Sequence, residues 1–132
     1  AEAPVDPDSV WLYHKTTRRE TYAAARAARP DCDEVLLWNT RGELTEATTA
    51  NLVLRLDGRL LTPPITAGLL PGTFRAHLLH TGQIHEHRLT PADLPRAAAI
   101  WLVNSVRRWR RAVLIPEKER KARKGTQSTQ SF

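Results

Sequence analysis

Apolar positions fall along the chain in short runs divided by turn signals. Val10-Trp11-Leu12-Tyr13 is aromatic and β-branched, which predicts a strand leading straight into His14-Lys15-Thr16-Thr17. Over 17–29 the chain becomes Ala-rich, with Tyr22, Ala25 and Ala28 at helical spacing, and Thr16 or Thr17 can cap that helix before Pro30-Asp31 ends it. The unbroken run Glu34-Val35-Leu36-Leu37-Trp38-Asn39 predicts a strand buried on both faces, and Thr40-Arg41-Gly42-Glu43 a turn after it. Strands are expected at 51–56 and 59–62 around Asp57-Gly58, a strong hairpin dipeptide, until Pro63-Pro64 stops the second.

A loop over 65–71 leads to Gly72-Thr73-Phe74-Arg75 and an apolar helical pattern through Leu78 and Leu79, which Thr81-Gly82 stops. Residues 84–89 alternate like a strand, and Thr90-Pro91 opens a helical turn with a capping threonine and proline at its first position. Further buried strands are expected at 99–105 and 112–115. The segment 116–132 has no strongly apolar side chain before Phe132 and reads as a disordered tail. Strands and helices interleave without an internal period, the pattern of a mixed α/β domain.

Composition narrows this picture. With 132 residues there is room for one core rather than two, and no apolar run is long enough to span a bilayer. A single cysteine cannot form an internal disulfide, and no basic-then-apolar leader precedes it, so a cytoplasmic location is expected. The sequence contains no methionine, and its first nine residues read as a Pro-punctuated linker, from which we expect translation to begin upstream of Ala1. Net charge is +6, and the tail, with five Lys/Arg against two Glu, carries about half of it. The rest is only mildly basic and by itself names no partner.

Candidate chemistry gathers at strand ends, where sheets of this class present ligand-binding loops. Lys15 follows four apolar residues; it is either a lysine snorkelling off the sheet edge or a desolvated amine nucleophile. The stretch Gly42-Glu43-Leu44-Thr45-Glu46-Ala47-Thr48-Thr49-Ala50-Asn51 reads either as a polar surface turn or as a site in which a buried Glu46 holds a heterocycle nitrogen protonated. Gly68-Leu69-Leu70-Pro71-Gly72-Thr73-Phe74-Arg75 puts backbone N–H groups at a helix start. That is either an ordinary cap or a phosphate cradle, and it lacks the Lys-Ser/Thr ending of a nucleotide loop. His77, His80, His85 and His87 have no acid or thiol at ligand spacing, and Cys32, between two aspartates, is a poor nucleophile. Arg107-Arg108-Trp109-Arg110-Arg111 alternates cations with an aromatic, which suits nucleic acid, a small anion or plain surface placement.

Taken in order, Lys15-Thr16-Thr17, the block from Gly42 to Leu52, Thr62-Pro63-Pro64, the block from Gly68 to Arg75, and Asn104-Ser105 resemble the fold-type IV pyridoxal-phosphate enzymes, the class IV aminotransferase family. The resemblance covers about residues 10–115. It implies the large C-terminal cofactor-binding domain of that fold, an α/β domain with a mixed, partly barrel-like sheet and flanking helices, without the small N-terminal domain. Leu12-Tyr13-His14-Lys15, Leu36-Leu37-Trp38-Asn39 and Trp101-Leu102-Val103-Asn104-Ser105-Val106-Arg107 make the wording most similar to the family's aminodeoxychorismate lyases.

Carried over residue by residue, the resemblance implies that Lys15 bonds pyridoxal 5′-phosphate covalently and moves protons. Glu46 would pair with the pyridine nitrogen, Gly72, Thr73 and Phe74 would offer N–H groups to the phosphate, and Ser105 would add a hydroxyl. Arg107 is a conjectured partner for a substrate carboxylate. The implied reaction releases pyruvate and 4-aminobenzoate; branched-chain or D-amino-acid transamination, or a non-catalytic module, are the alternatives. Implied partners are a small anionic substrate, an N-terminal domain or fused synthase component, and a second copy in a homodimer, with no call for membrane or nucleic acid. Three positions depart from the pattern: Phe74 stands where many members carry threonine, Arg108 where fused lyases carry glycine, and Glu20 where aminotransferases often carry tyrosine.

Overall fold

A computed structural model describes residues 7–14, 27 and 32–115. The helix expected over 17–29 lies outside the described residues except for helical Ala27, and the tail over 116–132 lies outside them too. Eight strands form one sheet: β1 (Asp8–His14), β2 (Glu34–Trp38), β3 (Leu44–Ala47), β4 (Asn51–Leu56), β5 (Arg59–Thr62), β6 (His85–Glu86), β7 (Ala99–Asn104) and β8 (Arg108–Leu114). One α-helix, α1 (Thr73–His80), and two single 3-10 turns, Ile65–Ala67 and Pro91–Asp93, complete the described elements. Among the described residues no helix is long and apolar enough to cross a membrane.

The strand order is β3-β2-β1-β8-β7-β4-β5-β6, with an additional pairing of β3 to β4. That pairing closes six strands into a ring, with β5 and β6 as an extension beyond β4. β1 runs parallel to both β2 and β8, whereas β7 lies antiparallel to β4 and β8. The mixed, partly barrel-like sheet expected from the motifs is therefore the observed one.

Alternation within each strand separates the ring interior from the outer faces. Val10, Leu36, Leu52, Leu54, Ile100, Leu102 and Ala112 fill the ring with their neighbours. Val53 and Val103 face the other way, against Phe74 and Leu78 of α1. The helix covers the outer face of β4 and β7 because Phe74 and Leu78 lie one turn apart and both are buried.

Three boundaries differ from the sequence reading. Residues 44–47, within the stretch left open as a polar surface turn, form a strand whose four residues are all buried. Of the alternating segment 84–89 only His85 and Glu86 join the sheet, since this edge pairs through two register positions with β5. The last strand begins at Arg108 rather than at residue 112, so the basic run is largely strand and its side chains are divided between two faces.

Candidate functional site

The site grows out of the β2–β3 turn. The Asn39 side chain accepts from the N–H groups of Arg41 and Glu43, an Asx-type turn that returns the chain antiparallel to β2. Gly42, at φ +77°, supplies the left-handed step. This brings Glu46 into β3, where it is only 4% exposed and stands opposite Asn51 of β4.

Glu46 and Asn51 both grip the loop that precedes α1. Leu70 N–H donates to Glu46 Oε1 at 3.0 Å. Asn51 Nδ2 donates to the Leu70 carbonyl at 2.8 Å, and Gly72 N–H donates to Asn51 Oδ1 at 3.1 Å. The backbone approaches so closely that a Cβ on Gly72 would sit 2.7 Å from Asn51 Oδ1. Glycine is required here by contact, not by its dihedrals, which are extended.

Gly72 is the N-cap of α1, and no side chain caps the helix. Because Gly72 N–H is engaged by Asn51 and the first helical bond runs from Ala76 N–H to the Gly72 carbonyl, the N–H groups of Thr73, Phe74 and Arg75 are the donors at this helix start. They point along the positive end of the helix dipole with no acidic residue in the first turn, the arrangement that suits an anion.

A third segment, the turn between β7 and β8, closes on the other two. Asn104 Oδ1 accepts from Val106 N–H at 3.1 Å and Arg107 N–H at 2.7 Å, while its Nδ2 donates to the Thr49 carbonyl at 3.0 Å. Arg108 leaves the turn with φ +61°, a left-handed backbone that glycine adopts without strain. Its guanidinium lies 5.2 Å from the Phe74 ring centre, and Trp109 meets that ring edge-on. Phe74 thus serves as a packing surface for the turn.

Of the residues singled out in the sequence, Glu46, Gly72, Thr73 and Phe74 come together at one end of β4, with Ser105 and Arg107 on the adjoining turn. Lys15 lies outside the described residues; β1 is described as far as His14, whose ring stacks on Trp38. Asn51 and Asn104 sat inside the quoted motifs without a role, although an amide at the end of an apolar strand signals a backbone staple. Glu34 was read only as part of a strand, and Arg110 only as part of the basic run. Among the described residues no three His, Cys, Asp or Glu side chains are grouped to hold a metal. A depression of about 170 Å³ beside Leu56, Asp57 and Arg59 lies at the opposite end of β4.

The donor set fits pyridoxal phosphate: uncapped helix N–H groups for an anion, and a buried carboxylate for a protonated ring nitrogen. Comparison with known proteins points the same way. Residues 1–115 match the family model described as amino-transferase class IV. A Schizosaccharomyces pombe protein named "Putative aminodeoxychorismate lyase" is 36% identical over 114 residues, which cover 81% of this chain and 49% of that one. A solved structure of a "Putative amino-acid aminotransferase" from Mesorhizobium loti superposes with a TM-score of 0.76 at 34% identity, covering 83% of this chain and 60% of that one. A "Putative 4-amino-4-deoxychorismate lyase" from Legionella pneumophila gives a TM-score of 0.71 at 25% identity, covering 89% and 51%. The chain therefore spans about half the length of the curated relative it matches.

Proposed function

Because the chain belongs to the amino-transferase class IV family, we propose that it holds pyridoxal 5′-phosphate and forms the cofactor-binding part of an aminodeoxychorismate lyase. The observation that carries the cofactor reading is the pairing of buried Glu46 with the uncapped start of α1 through one loop, residues 70–72. When bound, pyridoxal phosphate supplies an electron sink for charge developing on the substrate. Glu46 keeps a proton on the ring nitrogen, Thr73 and Phe74 N–H with the Ser105 hydroxyl bind the phosphate, and Arg107 orients a substrate carboxylate. Lys15 would be the amine that holds the cofactor and, when free, the group that moves a proton on the substrate. The lyase reading rests on the motif wording and on the 36%-identical relative. Transamination is the second reading, favoured by the likeness to the Mesorhizobium loti structure.

Titration with pyridoxal phosphate should produce a visible absorption band, and borohydride followed by peptide mapping should find the label on Lys15. Lys15→Ala should abolish both. Label spread over other lysines, undiminished in Lys15→Ala, would refute the assignment. Release of pyruvate with 4-aminobenzoate from aminodeoxychorismate identifies the lyase, and amino-group exchange with a keto acid identifies the rival.

A further inference from the structure

One end of the ring interior is polar. Glu34 and Arg110 stand on the same faces of β2 and β8 as the core residues Leu36 and Ala112, two positions along. Arg110 Nη1 meets Asp8 Oδ2 at 2.8 Å and its Nη2 meets Glu34 Oε2 at 3.4 Å. The Glu34 carboxylate, 4% exposed, then takes hold of the β3–β4 hairpin tip. Its Oε1 accepts from Thr48 Oγ1 at 2.8 Å and from Thr49 N–H at 3.1 Å, and its Oε2 accepts from the Thr49 hydroxyl. On the far side of that tip the Thr49 carbonyl receives Asn104 Nδ2, whose oxygen fixes the N–H groups of Val106 and Arg107.

We infer that Glu34 is a positioning residue: from inside the barrel it holds Thr48 and Thr49, and through the Thr49–Asn104 bond it sets the Ser105–Arg107 turn against the strand that carries Glu46. A carboxylate suits this task better than an amide. It accepts from three donors of one turn and the Arg110 guanidinium with no hydrogen of its own to place, and a charged acceptor strengthens each bond in a dry setting. The purpose given to the turn rests on the cofactor reading above; the mechanical coupling does not.

The test therefore has two readouts. The first is amide hydrogen exchange by NMR on the chain without cofactor, at Val106 and Arg107, with Leu102 of β7 as the reference. Glu34→Ala should speed exchange at Val106 and Arg107 about tenfold relative to Leu102, and Glu34→Gln, which keeps one acceptor oxygen, about threefold or less. In an Asn104→Asp background, where a carboxylate oxygen faces the Thr49 carbonyl and the link is cut, Glu34→Ala should no longer affect Val106 and Arg107. If Glu34→Ala does not fold, Thr49→Val removes only the hydroxyl and should give a smaller effect of the same pattern. Unchanged rates at Val106 and Arg107, or equal acceleration at Leu102, would overturn the inference. The second readout is the Kd for pyridoxal phosphate, expected to rise about tenfold in Glu34→Ala with partial recovery in Glu34→Gln. Failure of the unmodified chain to bind pyridoxal phosphate would sink the cofactor reading and leave the exchange result to decide this one.

Discussion

Arg108 shows how a single residue sets the cost of the turn beside the site. Its φ of +61° carries a penalty of about 1–2 kcal/mol for a side chain with a Cβ. Glycine would remove that strain but adds backbone freedom to the unfolded chain, about 0.5–1 kcal/mol, and loses the cation–π contact with Phe74, about 0.5–1 kcal/mol at an exposed position. The two sides nearly cancel, so Arg108→Gly should change stability by no more than about 0.5 kcal/mol. Arg108→Ala keeps the strain and loses the contact, and should cost about 0.5–1 kcal/mol. Urea unfolding of the three proteins gives the order. Alanine above glycine, its usual rank, would mean that the left-handed backbone costs nothing here.

Among the elements, α1 and the loop before it hold the site by different means, and two leucines separate them. Leu78 is 1% exposed between the outer face of the sheet and Ile84, so Leu78→Ala should cost about 2–5 kcal/mol through lost contact and the cavity left behind. Leu70 is 64% exposed, and its bonds to Glu46 and Asn51 are made by backbone atoms. Leu70→Ala should stay within about 0.5 kcal/mol in the same unfolding experiment. This division also explains what the sequence disclosed. The hairpin at Asp57-Gly58, the strands of continuous apolar residues and the helix after Gly72 are local patterns, and all are present. Strand β3 was ambiguous because Leu44-Thr45-Glu46-Ala47 has no apolar alternation; its burial comes from pairing with β2 and β4 and from the loop over 65–72, which its own pattern does not announce. Glu46 could be singled out from its motif, and the structure buries it against the loop before α1. The bonds of Asn51, Asn104 and Glu34 were not legible in the sequence, because they join segments up to 76 residues apart.

Across the whole molecule, the ring and the site meet at one place. β3 and β5 share one edge of β4, and the ring closes through one register pair, Glu46 with Asn51. The side chains of that pair hold the loop, so barrel closure and site assembly depend on each other. The loop's other end is strapped to the β2–β3 turn, where Asn39 Nδ2 donates to the Ala67 carbonyl and Arg41 to the Thr66 carbonyl. Glu43 organises this strap. The hydrogen bond from Asn39, with help from Arg41 and Arg88, holds its carboxyl below the usual carboxylate range, against an opposing contribution from burial. A group whose folded pKa is depressed binds fewer protons in the native state than in the unfolded one. Its contribution is complete above the unfolded pKa and fades as pH falls through the folded value. The stability difference between the unmodified chain and Glu43→Gln should therefore be constant through neutral pH and shrink once pH drops below the ordinary carboxylate range, as read from urea midpoints across an acid series. A stability difference that persists undiminished into acid would show that Glu43 acts through shape alone and that its charge does not tension the loop.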